Sequence, residues 1–335
     1  MRLQTSSFIV SASLIASALL LLCLGSLLLG AGDIGVGESM RGLFGAAGPE
    51  AQFVVGVLRR ARTELAVLVG MALGVAGLLL QAVTRNPLAE PGLLGVSAGA
   101  AFAVTLSINL GATAAGLHLG VAVLGAVGGS LLVLGVSRLN NIGHDPVRLV
   151  LAGVAFSGLL GAFSSLFLLW DQRTADEVRF WVVGSLAGRP AAALPWSVMG
   201  LLAGLAVALP LLRPLAALAL GDKVAKGLGH YPQHVRVLTL LAVALLVGTA
   251  NAAAGPIAFL GLIVPFMARR LIGTDMLRCF VLCLLLGPCV LMLADILSRL
   301  LVQPYELPVG VVTAMLGAPI LIAVVRSERL PVLQQ

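Results

Sequence analysis

Between residues 81 and 100 the chain sets Arg85, Asn86 and Glu90 beside Pro87 and Pro91, flanked by apolar runs that carry no charge. Each proline lacks a backbone donor, and the Asn86 amide and Glu90 carboxyl are groups that lipid cannot satisfy. Such a segment is tolerable only where protein or a water-filled cavity surrounds it. Other reactive groups are sparse. No G-x-x-x-x-G-K-[ST] phosphate loop occurs, so the chain cannot hydrolyse ATP by that route. The apolar runs lack the Asp, Glu and Lys pairs of proton or sodium relays, and Asp295, near Arg299, is expected to form a simple ion pair at a helix end. Cys23, Cys279, Cys283 and Cys289 lie in apolar runs without metal-site spacing and read as buried small hydrophobes. His230 and His234 are separated by Pro232, and no third ligand follows them. With no nucleophile, carboxylate pair or metal cluster facing the apolar interior, any energy source must sit on a partner.

The elements that position these groups are membrane helices. Of 335 residues, 59% are hydrophobic and 10% charged, where an average soluble domain carries roughly 25% charge. Forty glycines and sixteen prolines in so apolar a chain fit a polytopic membrane protein. The basic excess, net +7, is read as cytoplasmic loop charge and not as nucleic-acid binding. A spanning helix needs about 20 apolar residues, and charge-free stretches supply them at 3–32, 65–84, 149–170, 190–212, 279–294 and 307–325. The first is too long, and lacks the closing small-residue site, for a cleaved signal peptide. The stretch 91–137 holds two helices, broken by Asn109, Gly111, Thr113, Gly116 and His118, and 237–268 holds a full helix and a shorter piece after Gly255-Pro256.

If that short piece crosses, there are ten helices with both termini on one side. Thirteen basic and five acidic residues then share the side of the termini, and eight basic and nine acidic residues the other. That asymmetry predicts ten spans with both termini cytoplasmic. The longest internal connection is 213–236, and 173–189 outside is long enough for a short surface helix, with Trp181 an interfacial anchor or partner contact. The Gly/Pro breaks after 74–77 and at 254–256 lie five spans apart, an offset that would invert a repeat and often marks a transport path.

The run RNPLAEPGLLG at 85–95 is similar to the signature of permease subunits that import iron-siderophores, haem and vitamin B12, the FecCD/BtuC-type family of ABC importers. Further resemblances follow in order: LRRART at 58–63, RLVLAG at 148–153, FWVVGS at 180–185, GDKVAKGLG at 221–229, GPIAFLGLIVP at 255–265, Ala294-Asp295 and ELPVG at 306–310. Departures are Ala61 for a proline, Phe266 for a histidine and Lys223 where relatives are often acidic.

The resemblance implies an all-α, ten-helix type II importer permease forming a single domain over 1–335, in the inner membrane. It implies a second permease subunit, identical or paralogous, two cytoplasmic ATPase subunits that bind ATP-Mg, and a periplasmic binding protein; no cofactor or metal is implied for this chain. By the same likeness, Asn86, Leu88, Asp145, Pro146 and Val147 form a cytoplasmic gate. Gly221, Asp222, Lys223, Ala225, Leu228 and Gly229 belong to a coupling helix for the ATPase. Arg59, Arg62 and Arg299 dock the binding protein. The wording at 146–155 and 178–181 is closest to ferric-enterobactin-type subunits, which favours a ferric siderophore over haem or vitamin B12; an ion-coupled secondary transporter is the reading from another class.

Overall fold

The computed structural model describes residues 2–32, 34–112, 115–139, 146–189, 191 and 193–326. Their regular structure is helical: α1 (Arg2–Leu28), α2 (Val36–Leu43), α3 (Pro49–Phe53), α4 (Arg60–Thr84), α5 (Val96–Asn109), α6 (Ala115–Leu139), α7 (Pro146–Trp170), α8 (Gln172–Val182), α9 (Ala193–Ala208), α10 (Leu212–Ala219), α11 (Asp222–Gly227), α12 (Pro232–Ala254), α13 (Leu260–Ile272), α14 (Met276–Leu300) and α15 (Val309–Arg326). Among the described residues six helices are long and apolar enough to cross a membrane: Ser7–Leu28, Pro49–Thr84, Leu151–Trp170, Ala193–Ala219, Pro232–Ala254 and Met276–Leu300. Val96–Asn109, Gly120–Val133 and Val309–Ala323 are shorter apolar helices. Each apolar stretch read from the sequence holds a helix, and α8 occupies the surface segment expected after residue 173.

Helix α4 is the axis of the bundle, packed by α12, α13 and α14. From Ala72 to Thr84 every residue of it is buried, as a helix apolar on all sides requires. Close approach replaces a hydrophobic stripe as the organising device, because lipid tails are as apolar as leucine. Gly70, Gly74 and Gly77 fall on one face. A Cβ at Gly70 would meet the backbone of Pro288 at 2.6 Å, one at Gly74 the Cys283 carbonyl at 2.8 Å, and one at Gly77 would collide with the Gly261 carbonyl. By contrast α7 exposes Leu151, Leu159, Phe163, Leu166, Leu169 and Trp170, a face suited to lipid or another subunit.

Helix ends follow local chemistry. Pro232 opens α12 at a position where no donor is needed, and Asp275 caps α14 by accepting the Arg278 amide at 2.9 Å. α4 stops at Arg85, whose φ of 51° is left-handed, one residue before the Asn86-Pro87 pair that disfavours helix. α12 stops at Gly255, φ 76°, where the Trp181 carbonyl approaches so closely that no side chain fits.

Two expectations change. Trp181 is neither an interfacial anchor nor an exposed contact but is 7% exposed, with its carbonyl packed against Gly255. Asp295 is not at an exposed edge; it is fully buried within α14. A leucine at Gly77 should break the α4–α13 contact, costing about 1–3 kcal/mol as overpacking does. Gly77→Leu should therefore lower the thermal unfolding midpoint in detergent, whereas Gly37→Leu, at a glycine with open space around it, should leave it unchanged.

Candidate functional site

The two proline breaks meet. After α4, the Asn86 side-chain oxygen accepts the Leu88 amide at 2.9 Å, and the Asn86 carbonyl accepts the Ala89 amide at 3.1 Å, a compact turn on Pro87. The chain then brings Glu90 to the start of α13, where its carboxylate accepts the Phe259 amide at 2.6 Å. Phe259 has φ 66°, a left-handed setting uncommon for a bulky residue. Beside it Pro91 packs on Gly261, where a Cβ would come within 2.9 Å of the proline ring. In the first turn of α5, Ser97 accepts a hydrogen bond from Asn251 of α12 at 3.0 Å. Gln81 joins the same junction by donating to the Gly261 carbonyl at 3.3 Å and accepting from Arg269. The predicted gate residues are thus partly in view: Asn86 is exposed and Leu88 half-buried. Pro146 and Val147 open α7, and Asp145 lies outside the described residues.

Arg85, the first residue of the break, ties it to the segment 221–229. Its guanidinium donates to the Leu218 carbonyl at 2.6 and 3.0 Å and to the Asp222 carboxylate at 2.6 Å. Arg236 of α12 holds the same carboxylate at 2.9 Å. Asp222 opens α11, with Gly221 before it at φ 124° and Gly229 after it at φ 80°. Ala225 is buried while Lys223 and Leu228 are exposed, Leu228 by 61%. With Leu220, Val224 and Tyr231, Leu228 forms an apolar group on this end of the molecule. Arg85 and Arg236 were not singled out from the sequence for this role; the signals available were a charge inside the 85–95 motif and another at the end of the 213–236 loop.

The opposite end gathers Arg59, Arg62 and Arg299. A π-helical turn, Val54–Arg59, precedes α4. Arg59 reaches from it to the Leu27 and Leu28 carbonyls, at 3.1 and 3.0 Å, and to the Ser39 hydroxyl at 2.8 Å. Arg299 donates to the Ser26 and Leu29 carbonyls, each at 2.8 Å, and pairs with Asp295 at 2.7 Å. Arg62 bridges Asp295 at 2.8 Å and Glu306 at 2.7 Å. Two arginines therefore serve the last carbonyls of α1, which have no partner within their own helix. The cluster is inward: Arg59 is 6% and Arg299 1% exposed. The arginine that points out is Arg60, whose side chain is 70% exposed and pairs with Glu64.

With this geometry in place, comparison with known proteins is decisive. A model of the FecCD transport family matches residues 18–327. The chain belongs to the FecCD transport family. It is 41% identical over 304 residues, covering 90% of this chain and 91% of the relative, to the ferric enterobactin transport system permease protein FepD of Escherichia coli (strain K12). Against the iron(3+)-hydroxamate import system permease protein FhuB of Bacillus subtilis (strain 168) identity is 38%, over 93% of this chain and 83% of the relative. Against the hemin transport system permease protein HmuU of Yersinia pestis it is 36%, over 93% of each. The solved inward-facing structure of a metal-chelate type ABC transporter superposes with a TM-score of 0.82 at 28% identity, covering 94% of this chain and 98% of that one. Family and apolar helices together make this FecCD-family chain a multi-pass membrane protein.

Electrostatics at α11 make the link testable. Partial burial works to raise the Asp222 carboxyl, but Arg236 and Arg85 outweigh it and hold the group below the usual aspartate range. A carboxylate depressed on folding contributes stability that is complete above its unfolded value and lost as pH falls through the folded one. Amides of 222–228, normalised for intrinsic exchange, should therefore keep their protection from neutral pH down to about 4, near the free aspartate value, and lose it below. Asp222→Asn should lower that protection at neutral pH and abolish the acid step.

Proposed function

We propose that this chain is the membrane-spanning permease subunit of an ATP-binding-cassette importer that carries a ferric siderophore across the inner membrane. It crosses ten times with both termini cytoplasmic, so the α11 end is cytoplasmic and the Arg299 end periplasmic. The observation that carries the reading is Asp222. One carboxylate holds both the proline-broken gate, through Arg85, and the exposed α11, which sits where an ATPase subunit would bear on it. Two ATPase subunits supply ATP-Mg chemistry, and a second permease subunit completes the pathway.

In this mechanism, Gly221, Asp222, Lys223, Ala225, Leu228 and Gly229 form the coupling element, with Leu228 and Val224 as its apolar contact. Movement of α11 passes through Asp222 to Arg85 and so to Asn86 and Leu88, which with Asp145, Pro146 and Val147 close the inner mouth. At the other end, the binding protein docks on the face built by Arg59, Arg62 and Arg299. Arg60 extends from that face, and arginine suits oriented docking on carboxylates. Haem is the second reading, favoured by the full-length likeness to HmuU.

Vesicles containing the assembled importer should take up ferric siderophore with ATP and the binding protein, and not with an ion gradient alone; the reverse result would make it a secondary transporter. Cysteine at position 88 of both permease subunits should crosslink in some nucleotide states and not others, and state-independent crosslinking would leave only a structural turn. Arg62→Glu should weaken binding-protein docking in a salt-dependent way, as should Arg60→Glu, whose exposed side chain separates surface charge from folding. Equal docking by wild type and an Arg59/Arg62 double reversal would remove the assignment.

A further inference from the structure

Two cavities meet at the periplasmic end. One, about 720 Å³, lies over the arginine cluster, and the other, about 770 Å³, lies between the ends of α5 and α8 and the stretch before α15. Arg189 and Glu306 line both. The other cationic groups of the first cavity are already occupied: Arg62 by two carboxylates, Arg299 by Asp295 and α1 carbonyls, and Arg59 by α1 carbonyls and Ser39.

Arg189 differs. It gives one N–H, from Nε, to the Ser185 carbonyl at 3.1 Å, and makes no ion pair among the described residues. Glu306, on the same walls, is held by Arg62. A guanidinium cannot shed its charge near neutral pH, and it presents a planar fork of donors. Burial pulls Arg189 below the usual arginine range, the mark of a cation held without a counter-ion. Its surroundings in the second cavity include Trp181, Val183, Ile108 and Pro308, together with Arg179, which is paired with Asp176 at 4.0 Å, and apolar walls strengthen attraction for an anion relative to bulk water.

We propose that Arg189 anchors a vestibule subsite for an anionic iron(III) chelate, one whose iron is held by catecholate or carboxylate oxygens. The inference rests on the importer reading and narrows its substrate. Adjacent chelate oxygens can take both arms of the guanidinium, while aromatic or alkyl parts of the ligand lie on the Trp181 and Pro308 side. An iron(III) trihydroxamate is neutral overall and gains none of this attraction, so Arg189 is a specificity-determining residue.

The test uses the full importer in nanodiscs without binding protein. Equilibrium dialysis compares a tripodal iron(III) tris-catecholate with a neutral iron(III) trihydroxamate. Wild type should bind the anionic complex. Arg189→Gln should weaken that binding about tenfold or more, as loss of a hydrogen bond to a charged group does. Arg189→Lys should retain more of it than Arg189→Gln, and the neutral complex should respond to neither change. Equal loss for both complexes, with or without a lowered unfolding midpoint, would make Arg189 a structural residue. No binding by wild type, or none lost in Arg189→Gln, would overturn the subsite. Intact chelate binding with weakened docking of the binding protein would assign Arg189 to docking instead. Should wild type bind the anionic chelate through Arg189 yet show no ATP-driven uptake, the importer reading falls and the subsite stands.

Discussion

The Glu90 carboxylate holding the Phe259 amide is the contact on which the rest of the bundle depends. Backbone groups at membrane depth must find partners within the protein, and an interrupted helix leaves several without any. Here one interruption is satisfied by another. Because the breaks at 85–95 and 255–259 close on each other, the helices that carry them, α4 and α12, must stand side by side at the centre. Glycines at 70, 74 and 77 are then required for α13 and α14 to come close enough to complete the enclosure.

That arrangement places a polar turn at the end of a helix whose second half, Ala72 to Thr84, is wholly buried. Arg85 turns away from helix geometry there, and its side chain is free to leave the axis and find Leu218 and Asp222. Asp222 is shared with Arg236, so α4, α11 and α12 converge on one carboxylate. A shared acceptor of this kind ties motion in one element to the others more tightly than three separate surface pairs would, because no partner can withdraw without altering the field of the rest.

What the sequence made legible depends on how local the signal was. The break at 85–95 stands out because prolines and charge interrupt an apolar run, and α11 because glycines bound it. Helices α5 and α6 were separable at Asn109 to His118 for the same reason. The inward turn of Arg59 and Arg299 was not legible. Arginine is rarely buried, and the groups that receive it are backbone carbonyls of α1, which carry no residue-type signal at all. The Glu90 partner was hidden likewise: a main-chain amide 169 positions away. The short helices between residues 36 and 53, and the π-helical turn after them, lie in a stretch whose mixed composition has no clean period. Trp181 misled because its residue type suggests an interface, whereas its backbone packs against Gly255 at the end of α12, a partner 74 positions away that no local pattern signals.

The capping of α1 by Arg59 and Arg299 has a consequence for biogenesis. Helix α1 leaves the ribosome ending in carbonyls whose full set of donors is not yet made. Arg59 arrives early, but the second donor belongs to α14, 273 positions after Ser26. Synthesis proceeds from the N-terminus and early segments settle first, so this corner stays open until α14 has been made. A truncated product lacking α14 would expose it, giving quality-control machinery a local sign that the protein is unfinished.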